Sequence, residues 1–254
     1  MSRLFRILNV LCAAWLCITC TGKKVDSEAA EKDTINIAAC AHHTQEPLLQ
    51  EKSAIAHQLD SLGFLNIAIC DPSILIELKY ATPDNFTGKQ LYRDLHEAYL
   101  HPKAMESLKQ AQRLLQTHHP DLSLKVYDAA RPLSVQQEMW EMVAGTKQSI
   151  YVSNPRNGGG LHNYGMAVDV TIVNIKTQKE LPMGTAFDHF GEEAHIDKEL
   201  KMVETGKITA EERANRLLLR QTMQACGWIT LKAEWWHFNR VSKTEAQAHY
   251  PIIP

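Results

Sequence analysis

Residues 159–173 read Gly159-Gly160-Leu161-His162-Asn163-Tyr164-Gly165-Met166-Ala167-Val168-Asp169-Val170-Thr171-Ile172-Val173. Met166 to Val173 is apolar and β-branched, which predicts a strand. Asn154 to Gly160 is a glycine-rich loop leading into it. His162 sits at the end of the loop and Asp169 lies within the strand. Gly165 between them permits a tight reversal that aims both side chains at one point.

Working outward, Ile74, Ile76 and Leu78 alternate with Leu75, Glu77 and Lys79, so a strand with a largely buried face is expected there. Thr82-Pro83-Asp84-Asn85 marks a turn. Met105, Leu108, Ala111, Leu114 and Leu115 repeat at helical spacing, predicting a helix over 101–119. Leu122, Leu124 and Val126 alternate as a strand running toward Asp128 and Arg131. Ser134 with Gln137 reads as a capping box for a helix ending near Gly145, and Thr209 with Glu212 as one for a long helix stopped by Gly227. Leu231 to Asn239 is short, aromatic and extended. Helices and strands mix without a regular βαβ rhythm, which makes the class α+β.

Residues 1–20 read as a targeting segment: Arg3 and Arg6 precede an apolar run, Ile7 to Ile18, that is too short to span a membrane comfortably. Cys20 follows directly and is expected to be the lipidated first residue of an exported lipoprotein; an ordinary secretory signal with an incidental cysteine is the alternative. Residues 21–49 are polar and aperiodic, a tether, and 50–254 are expected to be the folded domain. Cys40, Cys70 and Cys226 remain beyond the segment, too few and too scattered for a disulfide framework or a cysteine zinc site; one disulfide or unpaired thiols both stay open. The formal net charge is -2, so no electrostatic case for nucleic acid exists, while a small or neutral substrate is compatible.

A second constellation, Glu234-Trp235-Trp236-His237, lies near the end of the domain. Two histidines and one carboxylate make a normal catalytic zinc set. Glu234 is then free to act as general base for a water. On an ideal strand, residues three apart point to opposite faces. Glu234 and His237 therefore share a site only if a bulge, bend or turn intervenes, or if each lines a different wall of one pocket.

These residues resemble the zinc D-alanyl-D-alanine dipeptidases, the VanX-type branch of the Hedgehog/DD-peptidase superfamily, whose signature is a histidine, six residues, an aspartate and a later Glu-x-x-His. Lys79-Tyr80-Ala81-Thr82-Pro83-Asp84-Asn85-Phe86-Thr87-Gly88, Val126-Tyr127-Asp128-Ala129-Ala130-Arg131-Pro132 and Met183-Gly184-Thr185-Ala186-Phe187-Asp188 extend the likeness. The resemblance implies mixed helices around a small antiparallel sheet and one zinc per chain on His162, Asp169 and His237. It implies Glu234 as proton acceptor and donor, and Arg131 as transition-state stabiliser. Asp188 is a candidate for the substrate ammonium and Tyr80 for shaping the pocket. The substrate implied is D-Ala-D-Ala or a very similar dipeptide. The rival readings are a carboxypeptidase or endopeptidase of cell-wall stem peptides, and a non-catalytic zinc-binding recognition domain. Gly160 departs from the family's Ser-x-His, which leaves substrate preference open; a backbone amide in the 158–160 run is the expected replacement donor.

Overall fold

Two buried strands, formed by the two alternating apolar runs, carry the architecture of the computed structural model, which describes residues 52–254. In chain order the elements are α1 (Ala54–Ser61), β1 (Leu65–Asn66), α2 (Ile67–Cys70), β2 (Leu75–Ile76), β3 (Tyr99–Leu100), α3 (Pro102–His118), β4 (Leu122–Asp128), α4 (Leu133–Val143), β5 (Ala167–Asn174), β6 (Lys179–Glu180), α5 (Glu199–Glu204), α6 (Ala210–Ala225), β7 (Ile229–Leu231), β8 (Glu234–Asn239) and α7 (Lys243–His249). The main sheet runs β2-β4-β5-β8-β7, with β6 paired to β5; β1 and β3 form a separate pair. The targeting segment, Cys20 and the tether lie outside the described residues. Residues 52–254 lie within one compact unit.

The class is α+β, as expected. The sheet departs from an all-antiparallel one at its edge, where β2 pairs parallel to β4. Elsewhere its ladders are antiparallel. The first seven residues of β5 are all buried. Alternation sends Val168, Val170 and Ile172 to one face and Asp169 and Thr171 to the other. The apolar set joins Leu124 and Val126 of β4 and the buried face of α3 in the core. Burial of this kind contributes roughly 25 cal/mol per Å² of apolar surface, so the core fixes the β4–β5 register and, with it, the position of Asp169.

The ends of α3 and α6 follow the sequence. His101 caps α3 by accepting from the Lys103 amide at 3.2 Å. Thr209 and Glu212 form the reciprocal cap of α6, and Gly227 follows its end with φ +82°. The expected cap of α4 is wrong. Pro132, not Ser134, occupies the N-cap position, and no side chain caps the helix. Proline fixes the entry angle, and the Leu133 amide is satisfied at 2.9 Å by the Ile253 carbonyl instead. Of the cysteines among the described residues, Cys70 and Cys226 are both free thiols.

Candidate active site

Three polar residues stand in one row across three neighbouring strands. Asp128 of β4 is opposite Asp169 of β5, and Asp169 is opposite His237 of β8. Directly opposed residues project from the same face, so the ladder itself brings the three side chains together. The row exists because β4 carries an irregularity between Val126 and Asp128. One extra residue, Tyr127, is accommodated there and Asp128 moves into register with Asp169.

His162 arrives from outside the sheet, on a 3₁₀ turn (Leu161–Tyr164) that ends at Gly165. Gly165 has φ +59°, and a Cβ there would meet Phe64 at 2.3 Å. The reversal therefore requires glycine. His162 Nε2 lies 3.3 Å from Asp169 Oδ2 and 3.2 Å from His237 Nδ1, and His237 Nδ1 lies 2.9 Å from Asp169 Oδ1. One ligand atom from each of the three falls within 4.8 Å of the others.

The donor set fits a divalent cation. His162 Nδ1 is 2.7 Å from the Ala129 carbonyl oxygen, which can only accept, so the proton sits on Nδ1 and Nε2 keeps its lone pair. His237 Nε2 donates to Asn239 Oδ1 at 2.8 Å, which leaves Nδ1 free. Both imidazoles are thus held by hydrogen bonds with their ligating nitrogens turned toward Asp169, the outer-shell arrangement metal-binding histidines require. Burial alone would raise the Asp169 pKa; where His162 and His237 are charged, they outweigh burial and hold the carboxylate well below its ordinary range.

Glu234 and His237 lie on one strand three residues apart, yet Glu234 Oε2 is 3.9 Å from His237 Nδ1. Thr230 pairs with Phe238 and Leu231 with Glu234, so residues 235–237 have no partners on β7 and β8 departs from strict alternation. That irregularity is the bulge the shared site needs. The Glu234 carboxyl is buried and, among the described residues, has no hydrogen-bond donor. Burial pushes its pKa up to about 8, with Asp169 and Asp188 acting in the same direction and His237 and Arg131 opposing.

Arg131 follows β4 and is 8% exposed. Its Nε and Nη2 both bond Asp128 Oδ2, at 2.9 and 2.5 Å, and Nη1 bonds Gln136 Oε1 at 2.9 Å. Burial is the largest influence and opposes its charge, but Asp128 and the neighbouring groups, Asp169 among them, together outweigh it and the guanidinium stays protonated. Tyr92 Oη donates to the other Asp128 oxygen at 2.5 Å. The guanidinium also stacks over the Tyr80 ring at 5.0 Å, so Tyr80 shapes the pocket by supporting Arg131.

Asp188 sits at φ +60°, a strained position for a side-chain-bearing residue. It accepts from Tyr80 Oη at 3.0 Å and the Phe86 amide at 3.3 Å. Enclosure, then the nearby Asp169, raises its pKa to about 7 against those two hydrogen bonds. The buried Arg216 of α6 anchors the approach to Asp188 by donating to the Met183 and Glu193 carbonyls at 2.5 and 2.9 Å. All seven residues singled out from the sequence, Tyr80, Arg131, His162, Asp169, Asp188, Glu234 and His237, line a single cleft of about 370 Å³.

Two of the three amides of the glycine loop are already paired, which leaves the Gly159 amide, without a hydrogen-bond partner among the described residues, as the expected replacement donor. The Gly160 amide bonds Asn163 Oδ1 at 2.8 Å and the Gly158 amide bonds the Pro155 carbonyl at 3.1 Å. Sequence reading missed Gln136, Tyr92, Asn239 and Arg216. Asn239 had a usable signal, since it lies two residues beyond His237 on the same strand face. The other three act through contacts distant in sequence that leave no local pattern.

Comparison with known proteins gives a consistent answer. The family described as D-ala-D-ala dipeptidase matches residues 60–253. A D-alanyl-D-alanine dipeptidase of Escherichia coli (strain K12) is 30% identical over 194 residues, covering 76% of this chain and 91% of that protein. One from Enterococcus faecium is 29% identical over 177 residues, 64% of this chain and 83% of that protein. One from Enterococcus faecalis (strain ATCC 700802 / V583) is 27% identical over 205 residues, 74% of this chain and 96% of that protein.

Proposed function

The chain belongs to the D-alanyl-D-alanine dipeptidase family of metallopeptidases, and on that premise we propose that it hydrolyses D-Ala-D-Ala or a closely similar dipeptide with one zinc ion held by His162, Asp169 and His237. The observation that carries the reading is the convergence, in one cleft, of that donor set with an unpartnered carboxyl, Glu234, and a clamped guanidinium, Arg131. A metal-binding module alone requires neither of the last two.

When bound, zinc supplies a Lewis acid that polarises the scissile carbonyl and lowers the pKa of a water. The chain's residues do the rest. Glu234 takes the proton of the attacking water on its carboxylate and returns it to the leaving amine. Arg131, held by Asp128 and Gln136, presents a fixed positive charge to the oxygen that becomes negative. Asp188 meets the substrate ammonium, and Tyr80 shapes the pocket around it. The cleft volume lies near the lower end of the roughly 300–1,000 Å³ usual for small-molecule sites, which suits a dipeptide.

The test is turnover of the four Ala-Ala stereoisomers and of longer stem peptides by zinc-loaded protein. Preferential cleavage of D-Ala-D-Ala supports the reading; cleavage confined to stem peptides supports a carboxypeptidase or endopeptidase. Location is part of the same proposal: Cys20 is lipidated and the domain faces away from the cytoplasm. Bacterial lipoproteins carry several acyl chains, enough for stable attachment. Cys20→Ala should release the chain from membranes, and unchanged partition would contradict the anchor.

A further inference from the structure

Ser153, an exposed residue, lines the cleft beside the glycine loop. Its carbonyl accepts from Gln136 Nε2 at 2.8 Å, while Gln136 Oε1 accepts from Arg131 Nη1 at 2.9 Å. Gln136 is 1% exposed, so one buried amide ties the segment bearing Ser153 to the guanidinium. The Ser153 hydroxyl has no hydrogen-bond partner among the described residues. It lies against Gly160: a Cβ at position 160 would come within 3.0 Å of Ser153 Oγ and 3.3 Å of its Cβ. A side chain at 160 would therefore crowd the hydroxyl in this place. The Gly158 and Gly160 amides are already paired, so Ser153 is the free side-chain donor on this wall, beside the unpaired Gly159 amide.

The charge layout says which end of a dipeptide this wall meets. Asp188 stands on the wall made by Tyr80 and Phe86. Lys243 lines the cleft at the start of α7, and α7 is pinned to the glycine loop by Gln247 Nε2 donating to the Asn157 carbonyl at 3.1 Å. Among the described residues no carboxylate pairs with Lys243. A zwitterion is thus offered an acid on one wall and a cation with a free hydroxyl on another.

We propose that Ser153 is a substrate-binding residue whose hydroxyl donates to the free carboxylate of the dipeptide, from the space that a side chain at position 160 would fill. The inference rests on the dipeptidase reading. The experiment uses zinc-loaded protein and the variants Ser153→Ala and Ser153→Ala/Gly160→Ser, each assayed on D-Ala-D-Ala and on D-Ala-D-alaninamide, which lacks the carboxylate. Ser153→Ala should raise KM for D-Ala-D-Ala about tenfold, the scale of one hydrogen bond to a charged group, with kcat little changed. The amide should lose nothing, and the double variant should recover most of the loss. Unchanged KM in Ser153→Ala, or equal losses on both substrates, would overturn the proposal. Calorimetric binding of D-Ala-D-Ala in a Glu234→Gln background, with and without Ser153→Ala, separates the two ideas. Turnover by wild type with indifference to Ser153 sinks this inference alone. Ser153-dependent binding without wild-type turnover sinks the proposed reaction and keeps the inference. Absence of both binding and turnover sinks both.

Discussion

Glu234 Oε2 lies 3.9 Å from His237 Nδ1, although the two residues are three apart on one strand and regular alternation would send them to opposite faces. The stretch 235–237, which has no partners on β7, resolves the conflict. It places a carboxyl with no hydrogen-bond donor among the described residues beside a histidine of the proposed metal site, available to a water and not needed as a ligand.

Glu234→Gln keeps the size of the side chain and removes the proton acceptor. Zinc content should stay at the wild-type level while kcat/KM for D-Ala-D-Ala falls at least about 10²-fold, the usual scale for loss of a general base. The acid limb of the kcat/KM pH profile should vanish or move. Near-normal turnover with that limb intact would remove Glu234 from the mechanism, and loss of zinc would make it a ligand.

Arg131→Lys keeps the positive charge but not the planar fork that bonds Asp128 through two nitrogens and Gln136 through a third. A fall in kcat of roughly 10²–10³ is expected, as for removal of an oxyanion donor, with zinc retained. Here the acid limb should persist, because Glu234 still titrates. A lysine variant with wild-type kcat would show that charge alone suffices and that the clamp is dispensable.

Asp188 gives a stability prediction for the metal-free protein. Its folded pKa is raised to about 7, against about 3.9 for an unperturbed aspartate. Between these values the folded state binds more protons than the unfolded state, so its contribution is fully present below about pH 4 and is lost as pH rises through about 7. Asp188→Asn abolishes the titration while still accepting from the Phe86 amide and donating to the Tyr80 hydroxyl. With chelator present, wild-type Tm should fall more steeply than that of the variant between pH 5 and about 7.5. Parallel curves would show that Asp188 does not titrate in this window.

Much of the scaffold was legible because it obeys short-range rules. Leu122, Leu124 and Val126 alternate, α3 repeats its apolar residues at helical spacing, and Gly165 and Gly227 adopt the positive φ that glycine tolerates. The donor set was legible as a set of residue types, since His162, Asp169, Glu234 and His237 sit in two compact motifs. What placed them was not legible. The extra residue at Tyr127 and the stretch 235–237 left without partners on β7 are relations between strands, and no local pattern in Val126–Asp128 or Glu234–His237 announces them. Ser134 failed as a helix cap because Pro132, two residues earlier, set the entry and the C-terminal Ile253 carbonyl took the first amide. Gln136 and Ser153 matter through a single side-chain contact across 17 residues, which periodicity cannot reveal.

The central claim, zinc-dependent dipeptide hydrolysis at His162, Asp169 and His237, is tested most directly by titrating zinc into metal-stripped wild-type protein and His162→Ala while following D-Ala-D-Ala hydrolysis. Wild-type activity should rise in proportion to added zinc and saturate at about one ion per chain, the stoichiometry of a single catalytic site, while His162→Ala stays inactive and binds zinc weakly. Full activity in stripped wild type, or a His162→Ala variant that saturates and turns over like wild type, would contradict it.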